Sequence, residues 1–210
     1  MRENLKYIFW PRSIAVIGAS TKKGSVGEVT FANILLNSYT GVVYPVNLTA
    51  RSVMGVKAYP SLIHIPDEVD LAIILVPATF VPETIEECGN KGVKGAVIIS
   101  AGFKEIGQKG ITIEKRVKEL ARKYNISLIG PNCFGIINTD HRVRLNATFG
   151  RAMPDEGNIT FISSKAEFTP KNVQTKDERI KEVFALKITV PNPQQELKPG
   201  MPSDVEIELK

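Results

Sequence analysis

At 210 residues, with 43% hydrophobic and 23% charged residues, the chain can bury one sizeable core plus a smaller appendage, which excludes an intrinsically disordered protein. No apolar run approaches the about 20 residues of a membrane-spanning helix, and the opening MRENLKYIFWPRS carries charge on both sides of a very short apolar stretch, unlike a secretory signal, so a cytoplasmic protein without a membrane partner is expected. The formal net charge of +5 lies before Ser164, because eight basic and eight acidic residues follow from there; so modest and unclustered an excess suits a small polyanionic ligand and argues against nucleic acid.

From Ser13 onward, short apolar runs alternate with helix-like stretches. The runs are SIAVIGAS (13–20), VVYPVN (42–47), DLAIILVP (70–77), GAVIIS (95–100) and SLIGP (127–131). Each is rich in β-branched residues and almost continuously apolar, as a strand buried on both faces must be. Helical periodicity falls between them at 25–37, 81–91 and 111–124. The last stretch sets Ile113, Val117, Leu120, Ala121 and Tyr124 on one stripe, with Glu and Lys opposite. Pro82 suits an early helical position, and Gly89 and Gly92 are read as the end of that helix. This alternation predicts an α/β fold, a Rossmann-like doubly wound parallel sheet with right-handed crossovers.

After Gly135 the rhythm stops. The stretch 138–155 reads as irregular, and 158–163 as another short strand. Two strands of a different style then follow at 183–191 and 204–210. In the second, Val205, Ile207 and Leu209 alternate with Glu206, Glu208 and Lys210, the pattern of a half-wet antiparallel strand. The change of style places a boundary near Gly157–Ser164, giving a domain at 1–157 and a β-rich tail at 158–210. So short a tail is below what folds alone without staples, metal or a partner.

The chemistry is concentrated where strands end. The first strand runs into G-A-S-T-K-K-G-S-V-G, with Gly18, Gly24 and Gly27 ahead of a helix opening near Ser25. A Gly-rich turn into a helix presents N–H groups and a positive dipole end to phosphate. Ser20, Thr21 and Ser25 add hydroxyls, and Lys22 and Lys23 add charge. A side chain at Gly18 is expected to fill the space of the phosphate. The spacing is neither G-x-G-x-x-G nor G-x-x-x-x-G-K-[ST], and Asn47 ends the second strand where an NAD-binding fold has an acidic residue. The remaining strand ends are Val46–Asn47, Val76–Pro77–Ala78, Ser100–Ala101–Gly102–Phe103 and the stretch 130–135, which includes Asn132 and Cys133. Each alone is also what a tight turn requires. Together they describe a groove for an extended ligand along one sheet edge. Cys88 and Cys133 show no C-x-x-C spacing, so neither a disulfide framework nor a metal site is expected. With no base placed beside it in a motif, Cys133 reads as a packing residue rather than a nucleophile.

The segments PRSIAVIGAS, KKGSVG, GVVYPVN, GVKAYPSL, IPDEVDLAIILVPA, KGVKGAVIISAGFKE, IGPNCFGIINT and LNATF resemble the ADP-forming acetyl-CoA (acyl-CoA) synthetases, relatives of the succinyl-CoA synthetase α subunit. The resemblance covers about the first three quarters of the chain. It implies coenzyme A as the ligand. Its phosphates would lie on the Gly18–Ser25 loop, its adenine along Val76–Ala78, and its pantetheine arm along Ser100–Phe103 and Asn132–Cys133. The family often carries Pro-Lys after the Val-Asn of the second strand. Leu48 and Thr49 stand there instead, and Arg51 is near enough to replace that 3′-phosphate contact. The activity implied is that of an ADP-forming acetate–CoA ligase, which also needs a phosphohistidine domain and an ATP-grasp β subunit or domain. GNITFIS (157–163) is followed by SKAEF rather than the family's phosphate loop, and His64 and His141 both read as surface residues. The chain by itself is therefore expected to be catalytically incomplete.

AEFTPKNVQTKDER and LKPGMPSDVEI resemble a second family, the HlyD-like periplasmic adaptor (membrane-fusion) proteins. The two resemblances meet inside GNITFIS, so a chimera joined at that strand is expected. Two alternatives remain from the sequence: an NAD(P)-binding redox or sensor module, and an efflux-adaptor fragment carried by the tail.

Overall fold

The computed structural model describes residues 2–150 together with Met153 and Pro154; the strands expected at 158–163, 183–191 and 204–210 lie outside the described residues. In chain order the elements are α1 (Lys6–Phe9), β1 (Ser13–Ile17), α2 (Val26–Leu36), β2 (Val42–Val46), β3 (Ser52–Val53), β4 (Val56–Lys57), β5 (Leu71–Ile74), α3 (Val81–Lys91), β6 (Gly95–Ile98), α4 (Gln108–Lys123), β7 (Ser127–Ile129), β8 (Gly135–Asn138) and β9 (Leu145–Thr148). The five apolar runs form one parallel sheet in the order β2-β1-β5-β6-β7. The chain moves outward from β1 to β2, then returns to the other side of β1 and continues through β5, β6 and β7. The sheet is thus doubly wound, and its direction of winding reverses between β1 and β5.

Burial on both faces explains the near-continuous apolar character of the strands. Along β1 every residue is buried, and alternate side chains enter different cores. Ala15 and Ile17 pack with Ile85 and Cys88 of α3 and Val117 and Leu120 of α4. Ile14 and Val16 pack with Phe31 and Ile34 of α2 on the opposite face. Each large aliphatic side chain buried this way contributes about 1.5–3 kcal/mol, so the central strands hold both layers.

Helix ends follow their sequence signals, with two differences. Ser25 caps α2 by accepting the N–H of Glu28 at 3.3 Å. Gly92 ends α3 in the left-handed region at φ 85°, a conformation a side chain disfavours. Gly89 does not end that helix; it lies inside it. A β-carbon there would stand 2.1 Å from Cγ of Tyr124, so residue 89 lacks a side chain to admit the ring that follows α4. Helix α4 opens at Gln108, three residues before the expected Ile111, with Gly107 preceding it.

The stretch after Gly135 is the main correction. Instead of irregular chain, β8 and β9 form an antiparallel hairpin, with Gly135 opposite Thr148 and Asn138 opposite Leu145. All four residues of β9 are buried. Leu145 and Ala147 join the α2-side core. The intervening polar residues satisfy each other, Thr148 Oγ1 donating to Asn146 Oδ1 at 2.7 Å. Buried Asn and Thr between apolar residues imitate a wet face, which hides such a strand from pattern reading. Asn33 of α2 clamps the hairpin by donating to the carbonyls of Thr148 and Gly150 at 2.8 and 2.7 Å. A second hairpin, β3–β4, has only two residues per strand and turns through Met54 and Gly55, both at positive φ. Among the described residues no helix is long and apolar enough to cross a membrane.

Because Leu145 is fully buried, Leu145→Ala should cost about 2–5 kcal/mol in urea unfolding. A loss under about 1 kcal/mol would show that the hairpin stands outside the cooperative core.

Candidate functional site

All five strands are parallel, so their carboxyl ends share one edge, and the loops leaving them are linked neighbour to neighbour. Gly18 N–H donates to the Val46 carbonyl at 3.1 Å, tying the end of β1 to the end of β2. Asn47 reinforces that tie. Its Nδ2 donates to Ala19 O at 2.8 Å, while its Oδ1 accepts the N–H groups of Thr49 and Ala50 at 3.0 and 2.8 Å. Ser100 Oγ donates to the Val76 carbonyl at 2.5 Å, joining β6 to β5. A β-carbon on Gly102, which has φ 107°, would lie 3.0 Å from that of Ala78. Asn132 N–H reaches Ser100 O at 3.0 Å, and Cys133 Sγ donates to Ile98 O at 3.3 Å. The residues singled out from sequence therefore form one continuous row from β2 to β7.

Their roles within the row differ. Val46 (5% exposed), Ala78 (8%) and Phe103 (0%) have side chains in the core; any contact of these three with a ligand falls to their backbone. Pro77 and Ala101 are exposed, and Val76, Ser100, Gly102, Asn132 and Cys133 are half-buried. Burial pushes the Cys133 thiol above its ordinary value, which keeps it protonated and a poor nucleophile. His64 is exposed with Nδ1 2.7 Å from Ser61 Oγ, and His141 is exposed in the turn between β8 and β9. Among the described residues no group of three or more His, Cys, Asp or Glu could hold a metal ion.

The loop from Gly18 to Ser25 leaves the end of β1, the strand beside which the winding reverses, and leads into α2. Gly18 adopts φ 97°, and a β-carbon there would meet the Leu75 backbone carbonyl carbon at 3.1 Å. This corrects the expectation that a Gly18 side chain would occupy phosphate space: it would instead strain the end of β5. Gly27 is tighter still, because a β-carbon there would lie 2.2 Å from Gly18 O. The turn is closed by Ser25 N–H on Lys22 O at 3.1 Å and Lys22 N–H on Ser20 Oγ at 3.0 Å. The N–H groups of Thr21, Lys23, Val26 and Gly27 have no acceptor among the described residues. Lys22 and Lys23 are exposed beside them. Unbonded amides at a helix start, with two cations, form an anion-binding arrangement.

Two carboxylates in this row were not singled out from sequence. Glu28 Oε2 accepts Gly24 N–H at 3.1 Å, and Glu105 Oε1 accepts Gly102 N–H at 2.6 Å. Burial opposes ionisation of Glu105, but the N–H groups of Gly102, Glu105 and Phe103 hold its carboxyl below its ordinary value. The Ser25-x-x-Glu28 spacing was the available signal for the first, being that of a capping box.

A family model described as a CoA binding domain matches residues 12–139. The chain belongs to the CoA-binding domain family. This CoA-binding domain is 54% identical over 160 residues to the α subunit of ADP-forming acetate–CoA ligase II from Pyrococcus furiosus, covering 76% of this chain and 34% of that protein. Among solved structures it resembles the dinucleotide-forming acetyl-coenzyme A synthetase 1 of Ca. Korarchaeum cryptofilum, in complex with phosphate and ADP. The TM-score is 0.71 at 41% identity, over 76% of this chain and 33% of that one. The chain spans between 20% and 35% of the length of the curated ADP-forming CoA ligases it matches. A separate match, 45% identical over 60 residues, covers 29% of this chain and 17% of a membrane protein from Acidithiobacillus ferridurans. The domain is thus homologous to one portion of the ADP-forming acetyl-CoA synthetases, and coenzyme A is its ligand.

Asn47→Asp would replace the amide that donates to Ala19 O with a carboxylate facing that carbonyl. It should destabilise the domain by about 1–3 kcal/mol in chemical denaturation. An unchanged midpoint would show that Asn47 does not hold the two loops together.

Proposed function

We propose that this domain holds coenzyme A across the carboxyl edge of its sheet, as the CoA-binding part of an ADP-forming acyl-CoA synthetase. The observation that carries the reading is the set of unbonded N–H groups at Thr21, Lys23, Val26 and Gly27, placed where the winding of the sheet reverses. The diphosphate would sit on them, with Lys22, Lys23 and the hydroxyls of Ser20 and Ser25 around it. The Ser25 hydroxyl accepts Glu28 N–H and still has its own proton to donate. The adenosine would run along Val76–Ala78. The pantetheine arm would pass Ser100–Phe103, using backbone at Phe103, toward Asn132 and Cys133. Bound there, coenzyme A supplies the thiol that takes up the acyl group, and the domain's residues anchor and orient it. With Cys133 held protonated by burial, the row offers hydrogen bonds and shape rather than a nucleophile. Leu48 is 87% exposed and Thr49 and Arg51 are exposed beside it, so Arg51 is the cation proposed for the 3′-phosphate.

The greater length of the curated relatives and the name of an α subunit support a further subunit, which we propose to be an ATP-grasp β subunit or domain. We further propose a cytoplasmic location, a folded unit at 1–157, and a tail at 158–210 of separate, adaptor-like origin. The 60-residue match to a membrane protein supports the last point. Limited proteolysis should release a coenzyme A-binding core ending near Gly157; cleavage that destroys binding would unite the two parts.

In calorimetry, coenzyme A should bind in the micromolar range, and NADH should neither bind nor compete. Replacing both Lys22 and Lys23 with Ala should weaken coenzyme A about tenfold. Arg51→Ala should weaken coenzyme A while leaving dephospho-coenzyme A unchanged. NADH binding without a response to coenzyme A would replace this reading with a dinucleotide-binding one.

A further inference from the structure

Glu28 stands in an unusual relation to the loop it belongs to. Its main-chain N–H is held by Ser25 Oγ, and its carboxylate Oε2 folds back onto Gly24 N–H at 3.1 Å. It makes no ion pair with Lys22 or Lys23 among the described residues, although both lie in the same turn. The side chain instead satisfies one backbone donor of the loop that carries the unbonded N–H groups. An anionic group at the first turn of a helix is favoured by the dipole and by those open amides. At this turn one such anionic group is the protein's own carboxylate.

We propose that Glu28 is a built-in competitor for the diphosphate of coenzyme A and so sets the affinity of this domain for it. The inference rests on the placement of the diphosphate at the Gly18–Ser25 loop. Three steps lead to it. Gly24 has one N–H, and Glu28 occupies it. Gly24 is exposed with φ 76°, and the Glu28 carboxylate is the acceptor of its N–H. A diphosphate on the neighbouring amides would place two further negative charges beside a carboxylate, and like charges at such range repel even when partly screened. Binding therefore requires the Glu28 side chain to swing off Gly24 toward solvent. Ser25 Oγ keeps the Glu28 N–H, so the helix cap survives while the carboxylate leaves. Glutamate at this position stabilises the empty loop and opposes the filled one.

The test is calorimetric titration of coenzyme A and dephospho-coenzyme A into the full chain and its Glu28→Gln and Glu28→Ala variants. Both ligands retain the diphosphate. Both variants should bind each ligand about three- to tenfold more tightly than the parent chain, with the gain shrinking as salt is raised. The melting temperature of the ligand-free variants should fall by a few degrees, reported by thermal scanning, because the open loop loses its internal anion. Glu119→Gln, which removes an equal charge from the exposed face of α4, should not reproduce the gain. Unchanged or weaker binding in both Glu28 variants would overturn the proposal. So would equal tightening in Glu119→Gln, since the effect would then be net charge alone. If the parent chain binds neither ligand, the reading of the loop itself fails, and the role of Glu28 falls with it.

Discussion

A β-carbon at Gly27 would lie 2.2 Å from the carbonyl oxygen of Gly18, so α2 can begin where it does only because residue 27 has no side chain. That approach brings the first turn of the helix directly over the end of β1, at the point where the sheet changes its direction of winding. Much else follows from it. The amides of Val26 and Gly27 in that first turn are left without an acceptor among the described residues. The body of α2 lies along one face of the sheet, where Phe31 and Ile34 close the core. Asn33, carried on the same helix, holds the hairpin β8–β9 through two carbonyls. A single close contact thus positions the anion-binding turn, one layer of the core and the closing hairpin.

The carboxyl edge of the sheet uses most of its side-chain polarity within itself. Asn47 joins the β1 and β2 loops, Ser100 bonds to Val76 O, and Glu105 caps Gly102. What remains for a ligand is mainly backbone N–H, two lysines and hydroxyl protons. Such a site is rigid because its side chains are already bonded, and preorganised donors lose little freedom on binding. Val46, Ala78 and Phe103 contribute their side chains to the core beneath it.

The sheet, its parallel sense and the loops along its carboxyl edge were legible because the physics behind them is local. A strand buried on both faces must be apolar at nearly every position, as LAII and GAVI are, and a Gly-rich turn must sit where backbone approaches backbone. Other features depended on partners distant in sequence. Gly89 reads as a helix stop until Tyr124 is seen to need its space. Asn146 and Thr148 read as wet until they are found bonded to each other inside the core. Gly18 reads as room for phosphate until Leu75 is seen against it. Glu28 was legible as half of a capping box, but its fold-back onto Gly24 was a matter of geometry.

The distribution of charge completes the picture. Lys22 and Lys23 project from a turn whose amides already attract an anion, so their contribution is long-range attraction added to short-range hydrogen bonds. Glu28 opposes them from within the same turn. An empty turn bearing two lysines and four open amides would otherwise attract any phosphate in solution. In the role proposed for Glu28, a carboxylate resting on one donor would raise the threshold for all of them, and a ligand would have to bring further contacts to overcome it. With coenzyme A placed as proposed, such contacts would come from the rest of the edge, from Val76 to Cys133, whereas free phosphate has none of them to make. Under that placement the turn would discriminate by the length of its ligand as well as by its charge.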